Sequence, residues 1–243
     1  MNSVEITNND KYVIDKSCTL IIKNSDINLE YDLNDGDYNI MIFNDFNGDI
    51  VINDKGNITN SKVSINYLEL NNYNINQLST VKVNDNSELI VNATYLGVND
   101  KKVVFDLRNV KSDSTVEITN NVVCLDDASF SLECIGTIVK GVKRSKCHQK
   151  NHCVTMGNPK LAKVLPVLNI DENDVEASHS LSSGTIDEEV LFYMNSRGLD
   201  KKDALGLILK SYLMPNENYY NGFIDGEYIK NLAESKVNDI CSM

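Results

Sequence analysis

The first three quarters of this chain consist of short β-branched stretches separated by clusters of asparagine. Six of these stretches alternate with a period of two, as β-strands do. They are residues 50–52, 63–67, 81–83, 89–91, 103–107 and 116–118. Before about residue 185 the apolar residues do not recur with the spacing of an amphipathic helix. The crossover helices that join the parallel strands of an α/β sheet are therefore not predicted. Two all-β folds remain, a sandwich of paired hairpins or a solenoid that coils short strands.

The asparagines favour the solenoid. Of the 34 asparagines in the chain, 21 precede residue 100. Asparagine tolerates the left-handed backbone region and hydrogen-bonds its own local backbone, which suits a fold with many tight corners. Hairpin signals such as Asp35-Gly36 and Asn47-Gly48 are few. No repeat of fixed length is visible, however, so the pattern leaves the sandwich open.

From about residue 185 the pattern becomes helical. Thr185-Ile-Asp-Glu188 predicts a capping box at the start of a first helix, and Gly198 supplies its C-terminal stop. The apolar stripe of this helix comprises Ile186, Val190, Leu191 and Met194. We expect these side chains to be core.

Two further helices are predicted. Asp200 is suited to cap the second, which Pro215 stops, and the third starts near Asp225. The sequence thus predicts a β region over residues 1–184 and a helical region over residues 185–243 that covers surface of the β region.

Composition excludes several classes of function. The formal charge of −12 argues against nucleic acid, whose binding depends on Lys and Arg. The one basic segment, 140–146, is short and is expected to be a solvated edge. No apolar run is long enough for a membrane span, and the amino end resembles no export signal. We therefore expect a cytoplasmic protein whose six cysteines are reduced. No phosphate-binding or hydrolase motif is present, which predicts no ATP hydrolysis by this chain.

A series of well-spaced landmarks occupies residues from about 160 to 213. They are Leu165-Pro-Val-Leu-Asn-Ile170, Asn173-Asp-Val-Glu-Ala-Ser-His179, Gly184, Asp187-Glu-Glu-Val-Leu-Phe-Tyr193, Ser196-Arg-Gly198 and Ala204. Together they resemble the signature region of the SufB/SufD family, the scaffold proteins of the SUF iron–sulfur cluster assembly system. Ala177-Ser-His179-Ser is more similar to the SufD side of the family, and Gln149 is a weaker match to a Gln-bearing strand.

The resemblance implies a right-handed parallel β-helix followed by a small helical region. Family members commonly carry a helical region ahead of the β-helix, so this chain is expected to be a member shortened at its N-terminus. The implied role is non-enzymatic. A SufD-like subunit pairs with a SufB-like subunit, or here with a second copy, and the SufC ATPase docks on the assembly.

In the family, the ATPase docks on the C-terminal helical segment, which here runs from Phe192 to Tyr212. The docking residues implied by the resemblance are Phe192, Tyr193, Arg197, Gly198, Ala204, Leu205 and Tyr212. Arg197 is either an interface contact or the partner of a carboxylate such as Asp187.

His179 is the first candidate for cluster chemistry, because it falls where SufD-type members carry a His implicated in cluster formation. Some members carry a Cys shortly before this position, whereas this chain has Ala177 and Ser178. Since clusters are held mostly by thiolates, the remaining ligands are expected from the partner subunit. The cofactor is thus a transient iron–sulfur cluster shared across the junction, with none bound tightly by this chain alone. Cys147 and Glu176 are the further candidates.

Cys147-His148 and His152-Cys153 offer four soft ligands in a short segment. If the segment is a strand, the two cysteines stand on one face about 20 Å apart and the two histidines on the other about 13 Å apart. Only a sharp corner within residues 149–151 brings them together, so buried or surface thiols are the favoured interpretation.

Two other functions stay open. A β-helical carbohydrate-acting enzyme would need paired carboxylates, for which Asp126-Asp127 and Glu30 with Asp32 are candidates, although the chain has no Trp for sugar stacking. The second open function is that of a diverged family member that lacks a cluster site.

Overall fold

The fold is described by a computed structural model that covers residues 2–8, 11–214 and 226–241. The strands are β1 Asn2–Ile6, β2 Lys11–Ile14, β3 Cys18–Ile22, β4 Asp26–Asn34, β5 Asp37–Asn44, β6 Ile50–Thr59, β7 Lys62–Glu69, β8 Ile75–Val83, β9 Glu88–Gly97, β10 Asp100–Asn109, β11 Thr115–Cys124, β12 Ser129–Ile138, β13 Ser145–Thr155, β14 Leu161–Ile170 and β15 Val175–Thr185. The helices are α1 Glu188–Ser196, α2 Lys201–Leu213 and α3 Gly226–Ile240.

The strands form a parallel β-solenoid. Odd-numbered strands make one sheet in the order β1 to β15, and even-numbered strands make the second in the order β14 to β2. We call these the odd sheet and the even sheet. Successive strands alternate between the sheets, and the strand pairs are parallel, so each turn contributes one strand to each sheet. The solenoid prediction is confirmed, and the hairpin-paired sandwich is wrong.

Side chains alternate between a closed interior and the outer faces. In β12 every second residue is buried, beginning with Phe130, and one apolar cluster runs through the interior from Ile6 to Cys153. The six stretches predicted as strands all lie within strands. Alternation therefore identified the elements, because each strand buries one face against the opposite sheet.

The turns differ in length, which explains why no fixed repeat is visible in the sequence. Asn28 and Asn53, which are hydrogen-bonded across adjacent turns, lie 25 residues apart. Asn120 and Asn151, which are hydrogen-bonded across adjacent turns in the odd sheet, lie 31 residues apart. The strands stay in register from turn to turn, and the additional residues of the longer turns lie in the corners between strands.

Asparagine serves both the corners and the contacts between turns. Asn60 and Asn86 have φ of 48° and 52° at corners, in the left-handed region. Other asparagines form side-chain ladders, in which Asn66 donates to Asn39 at 3.3 Å and Asn92 donates to Asn66 at 3.1 Å. The predicted role in corners is thus only part of what the asparagines do.

Helices α2 and α3 cover the outer face of the odd sheet. Their buried residues share an apolar cluster with outward-facing residues of the sheet. The sheet residues are Ile21, Met41, Phe43, Leu68, Leu70, Leu96, Val123, Leu125 and Val154. Among the described residues, no helix is long and apolar enough to cross a membrane.

The helix caps are partly as predicted. Asp200 caps α2 by accepting from the backbone N–H of Asp203 at 2.8 Å, and Gly198, with φ of 94°, follows α1. The capping box at Thr185 is wrong, because β15 extends through Thr185 and the cap of α1 is Asp187, which accepts from Glu189 N–H. Pro215 and Asp225 lie outside the described residues.

The apolar stripe predicted for the first helix is only partly core, since Ile186, which precedes α1, packs half-buried against the helix-covered cluster. None of the residues of α1 is buried, and Val190 is exposed. The reason is that α1 follows the last strand and packs on α2 rather than on the odd sheet.

Candidate functional site at the open end of the solenoid

Among the described residues, both ends of the solenoid have terminal strands, β1 and β2 at one end and β14 and β15 at the other, but the two ends differ in how many interior residues are buried. At the first turn Ile6 and Ile14 are buried. At the last turn, formed by β14 and β15, the residues that continue the interior columns are half-buried or exposed. In the part of the chain that the structure describes, β14 and β15 are the terminal strands of their sheets. This end therefore presents unpaired strand edges and an uncovered interior.

His179 lies in the uncovered interior. It is the register partner of Gln149 on the neighbouring strand β13, and Gln149 is buried on the inner side. Since partners in adjacent strands share a face, His179 belongs to the inner face of β15. Its side chain is exposed, because no further turn of the described part of the chain lies over it.

Gln149 anchors the last turn from beneath. Its Nε2 crosses the interior and donates to the carbonyl oxygen of Val167 in β14 at 3.0 Å. Its Oε1 is buried and accepts no hydrogen bond from the described residues. A Cβ at Gly136 would lie 2.5 Å from Cys147 Sγ and 2.9 Å from Gln149 Nε2, so glycine leaves the room that both side chains occupy.

Cys147 also lies on the inner face but is fully buried. Burial raises the pKa of its thiol to about 12, and likewise raises the pKa of the neighbouring Cys134 to about 12. Both thiols are therefore protonated near neutral pH and are poor metal ligands in this state.

Glu176 lies on the opposite, outer face of β15. Its carboxylate pairs with Lys146 at 2.9 Å, and this hydrogen bond lowers the pKa of Glu176. His148 lies on the same outer face, where Nδ1 and the Ser178 hydroxyl are 2.7 Å apart. The structure thus brings His179 and Cys147 to one face of adjacent strands but turns Glu176 away from them.

The segment with two cysteines and two histidines is a straight strand. β13 continues through residues 149–151 without a corner. Cys147 and Cys153 are buried on the inner face, and His148 and His152 lie on the outer one. The described residues include no group of three or more His, Cys, Asp or Glu placed to hold a metal ion.

The carboxylates considered for a glycan-cleaving site serve other contacts. Asp126 accepts a hydrogen bond from the backbone N–H of Asn158, and Asp127 lies 3.8 Å from Lys160. Glu30 pairs with Lys11, and Asp32 accepts from Asn57 Nδ2 at 3.0 Å. None of these contacts favours a catalytic acid.

The helical segment divides into an exposed part and a supporting part. Phe192 and Tyr193 of α1 are 76% and 58% exposed. The guanidinium of Arg197 lies 5.2 Å from the Tyr193 ring centroid, which is a cation–π contact. Asp187 is occupied as the α1 cap, and the described residues contain no ion pair between it and Arg197.

The remaining predicted docking residues support the helices. Ala204 is buried, and Leu205 and Tyr212 are half-buried against the helix-covered cluster. Sequence reasoning missed Leu207, which is exposed on α2. No clear sequence signal marked it, because residues three apart on a helix tend to share a face and Ala204 is buried.

Curated relatives match part of the chain. It is 33% identical over 101 residues to the iron–sulfur cluster assembly protein SufD of Bacillus subtilis, covering 42% of this chain and 23% of that protein. It is 41% identical over 64 residues to SufD of Escherichia coli, covering 26% and 15%. A SufBD family protein of Pyrococcus horikoshii is 34% identical over 80 residues, covering 33% and 18%. Each matched segment spans less than a quarter of the relative's length.

The family model described as "SUF system FeS cluster assembly, SufBD core domain" matches residues 49–212. This range begins one residue before β6 and ends in α2, so it includes the open end and the exposed helix. The chain belongs to the SufB/SufD family of the SUF iron–sulfur cluster assembly system.

Proposed function

We propose that this chain is a SufD-like scaffold subunit that pairs, through the open end of its solenoid, with a SufB-like subunit or with a second copy. A transient cluster is built at that junction with His179 as a ligand, and a SufC-like ATPase docks on α1 and α2. The role is assembly rather than catalysis.

The observation that carries the proposal is the uncovered last turn. β14 and β15 offer strand edges, and exposed leucines lie on this turn, namely Leu161, Leu165 and Leu181. Exposed edges and apolar side chains favour pairing with another chain. A partner seated here would enclose His179.

The donor set supports a shared site rather than a site within one chain. Imidazole suits iron as a borderline ligand. The thiols on the inner faces near this end, Cys134, Cys147 and Cys153, are all buried, and burial raises the pKa of each. Thiolate ligands must therefore come from the partner, and the cluster is cargo of the assembly.

The docking surface is supported by α1. This helix has no buried residue, yet it presents Val190, Phe192 and Tyr193 to solvent. Leu207 of α2 is exposed as well, and the Arg197 turn follows α1. Exposed apolar side chains on a small helix fit contact with a partner protein.

The test is anaerobic reconstitution with iron and sulfide, alone and with a SufB-like partner. His179→Ala is expected to abolish the cluster absorbance of the complex while pairing persists. His152→Ala, which alters a histidine on the outer face of β13, is the matched control and should leave the absorbance unchanged.

Equal absorbance in both variants would overturn the role of His179. Retained pairing without a cluster in the unaltered protein would favour the diverged member that lacks a cluster site. If the protein stays monomeric and binds neither a SufB-like subunit nor a SufC-like ATPase, the scaffold role itself is overturned.

A further inference from the structure

A lysine, a glutamate and an asparagine are buried together at one corner of the solenoid. Asn44 ends β5 and Glu69 ends β7, which are neighbouring strands of the odd sheet, and Lys101 is the second residue of β10 in the even sheet. Asn44 and Glu69 are 3% exposed, and Lys101 is 2% exposed. The assembly proposed at the open end makes no use of these residues.

One carboxylate binds the nitrogens of both other side chains. Glu69 Oε1 accepts from Lys101 Nζ at 2.8 Å, and Glu69 Oε2 accepts from Asn44 Nδ2 at 2.5 Å. A lysine amine is a nucleophile once it has lost a proton, and the carbon of a carboxamide is an electrophile that can release ammonia. The corner therefore holds a nucleophile, a proton acceptor and an electrophile in mutual contact.

The carboxamide of Asn44 is both oriented and polarised. Its Oδ1 accepts from the backbone N–H of Phe46 at 3.0 Å, which directs Nδ2 toward Glu69. A backbone N–H at this distance stabilises the negative charge that develops on the oxygen when the neighbouring carbon is attacked. Phe46 thus supplies the donor that an acyl transfer at Asn44 Cγ requires.

The loop after β7 holds the lysine and the acid in place. The carbonyl oxygen of Asn71 accepts from Lys101 Nζ at 2.7 Å, and the backbone N–H of Asn71 donates to Glu69 Oε1 at 2.8 Å. The Asn71 side chain donates to the Asn44 carbonyl oxygen at 2.8 Å. One residue therefore ties all three members of the cluster together.

The surroundings favour uncharged reactants. Ile42, Tyr67 and Tyr95, which are buried, lie beside Asn44 and Glu69. An amine and a carboxylic acid cost less to bury than two ions, so transfer of a proton from Nζ to Oε1 is promoted here. Burial also keeps out the water that would hydrolyse the amide instead.

We propose that Lys101 and Asn44 form an intramolecular isopeptide bond, with Glu69 as the acid and base of the reaction. Glu69 takes one proton from Nζ, and the resulting amine attacks Asn44 Cγ. Glu69 then gives that proton to Nδ2 and takes a second proton from Nζ. The bond between Cγ and Nδ2 breaks, ammonia leaves, and Glu69 ends as a neutral acid.

The attack requires a short movement of the lysine. Nζ leaves the carbonyl oxygen of Asn71 and approaches Asn44 Cγ to about 3–3.5 Å, the distance of a near-attack geometry. The four-carbon stem of a lysine is flexible enough for this.

The bond joins turns of the solenoid that are not neighbours. Asn44 and Lys101 belong to turns separated by the turn of β7 and β8. Turns of a solenoid contact only their neighbours, so one turn can open without the next. A covalent link between residues 44 and 101 holds three consecutive turns together and restricts the unfolded chain, as a disulfide does.

The first test is the mass of the intact chain, measured after the folded protein has been purified and then unfolded. We expect a mass lower than that of the sequence by one ammonia, and a tryptic peptide in which the segment of Asn44 is linked to the segment of Lys101. An asparagine that closes to a succinimide loses the same mass but links no second segment, so the linked peptide is decisive. The full mass, or a loss of ammonia without the linked peptide, would overturn the proposal.

The second test assigns the role of Glu69. Glu69→Gln keeps the size of the side chain but cannot take the proton from Nζ, so the folded variant should keep its full mass. The matched control is Glu88→Gln, which alters the carboxylate of the exposed pair with Lys62 and should lose ammonia as the unaltered protein does. A linked peptide in Glu69→Gln contradicts the role of Glu69. If Glu69→Gln does not fold, the mass and linked peptide of the unaltered protein still decide whether the bond exists.

Discussion

At the scale of single residues, the interior depends on a few buried polar groups whose partners are far apart in sequence. Lys101 has no exposed surface, and Glu69 binds it together with Asn44 Nδ2 and the Asn71 backbone N–H. Nothing in the sequence predicts this pair, because its residues lie 32 positions apart and meet only through a register that irregular turns set. The same holds for the buried Asp54 of β6, whose carboxyl accepts from the Tyr67 hydroxyl of β7.

Lys101→Met should strongly destabilise the fold. It leaves Glu69 buried without its cation, which costs about 3–5 kcal/mol in the free energy of unfolding. Urea unfolding measures this. The matched control is Lys62→Met, which breaks the exposed pair with Glu88 and should cost less than about 1 kcal/mol. Similar losses in both variants would contradict a special role for the buried pair.

Gly136→Ala should disturb the open end from within. The added methyl group displaces Cys147 and Gln149, and overpacking of this kind costs about 1–3 kcal/mol. Thermal unfolding gives the cost, and hydrogen exchange at β14 shows whether the Gln149 bond to Val167 is lost. Gly184→Ala is the control, because a Cβ there meets nothing. Unchanged exchange at β14 would argue against Gln149 as an anchor of the last turn.

At the scale of elements, the strands were predictable and their pairing was not. Alternation in stretches such as 63–67 and 103–107 identifies a half-buried strand from local sequence alone. Pairing depends on turn lengths that change from 25 to 31 residues between neighbouring asparagines, so no period marks it. Among the described helix ends, the predicted cap was wrong at Thr185, where β15 extends past the predicted start of the helix.

The two aspartate caps should have unequal effects. Asp200→Ala removes the cap of α2, whose buried residues join the helix to the odd sheet, and should cost about 1 kcal/mol of global stability. Asp187→Ala should instead speed hydrogen exchange in α1 alone, because α1 has no buried residue and opens locally. Exchange mapped by mass spectrometry distinguishes the two. A global loss from Asp187→Ala would show that α1 is integral to the core.

At the scale of the whole molecule, the sequence indicated which segments form the site but not how they are arranged. The resemblance drew attention to His179 and to the segment from Phe192 to Tyr212. It did not show that Cys147 is sealed inside, or that Glu176 faces outward, since both depend on the face each residue takes in a strand. The face on which a side chain lies depends on the register of its strand, and that register is set only when the solenoid is assembled.

One pair of matched variants tests whether the pairing surface is the open end or the outer face of the even sheet. Leu181 at the open end is 44% exposed, and Leu78 on the outer face of the even sheet is 46% exposed. Because both are already in water, Leu181→Asp and Leu78→Asp should leave the melting temperature nearly unchanged. If the open end is the pairing surface, Leu181→Asp alone should weaken association with a SufB-like subunit or a second copy at least tenfold, by light scattering and by co-purification. Equal weakening by both variants, or by neither, would place the pairing surface elsewhere on the solenoid.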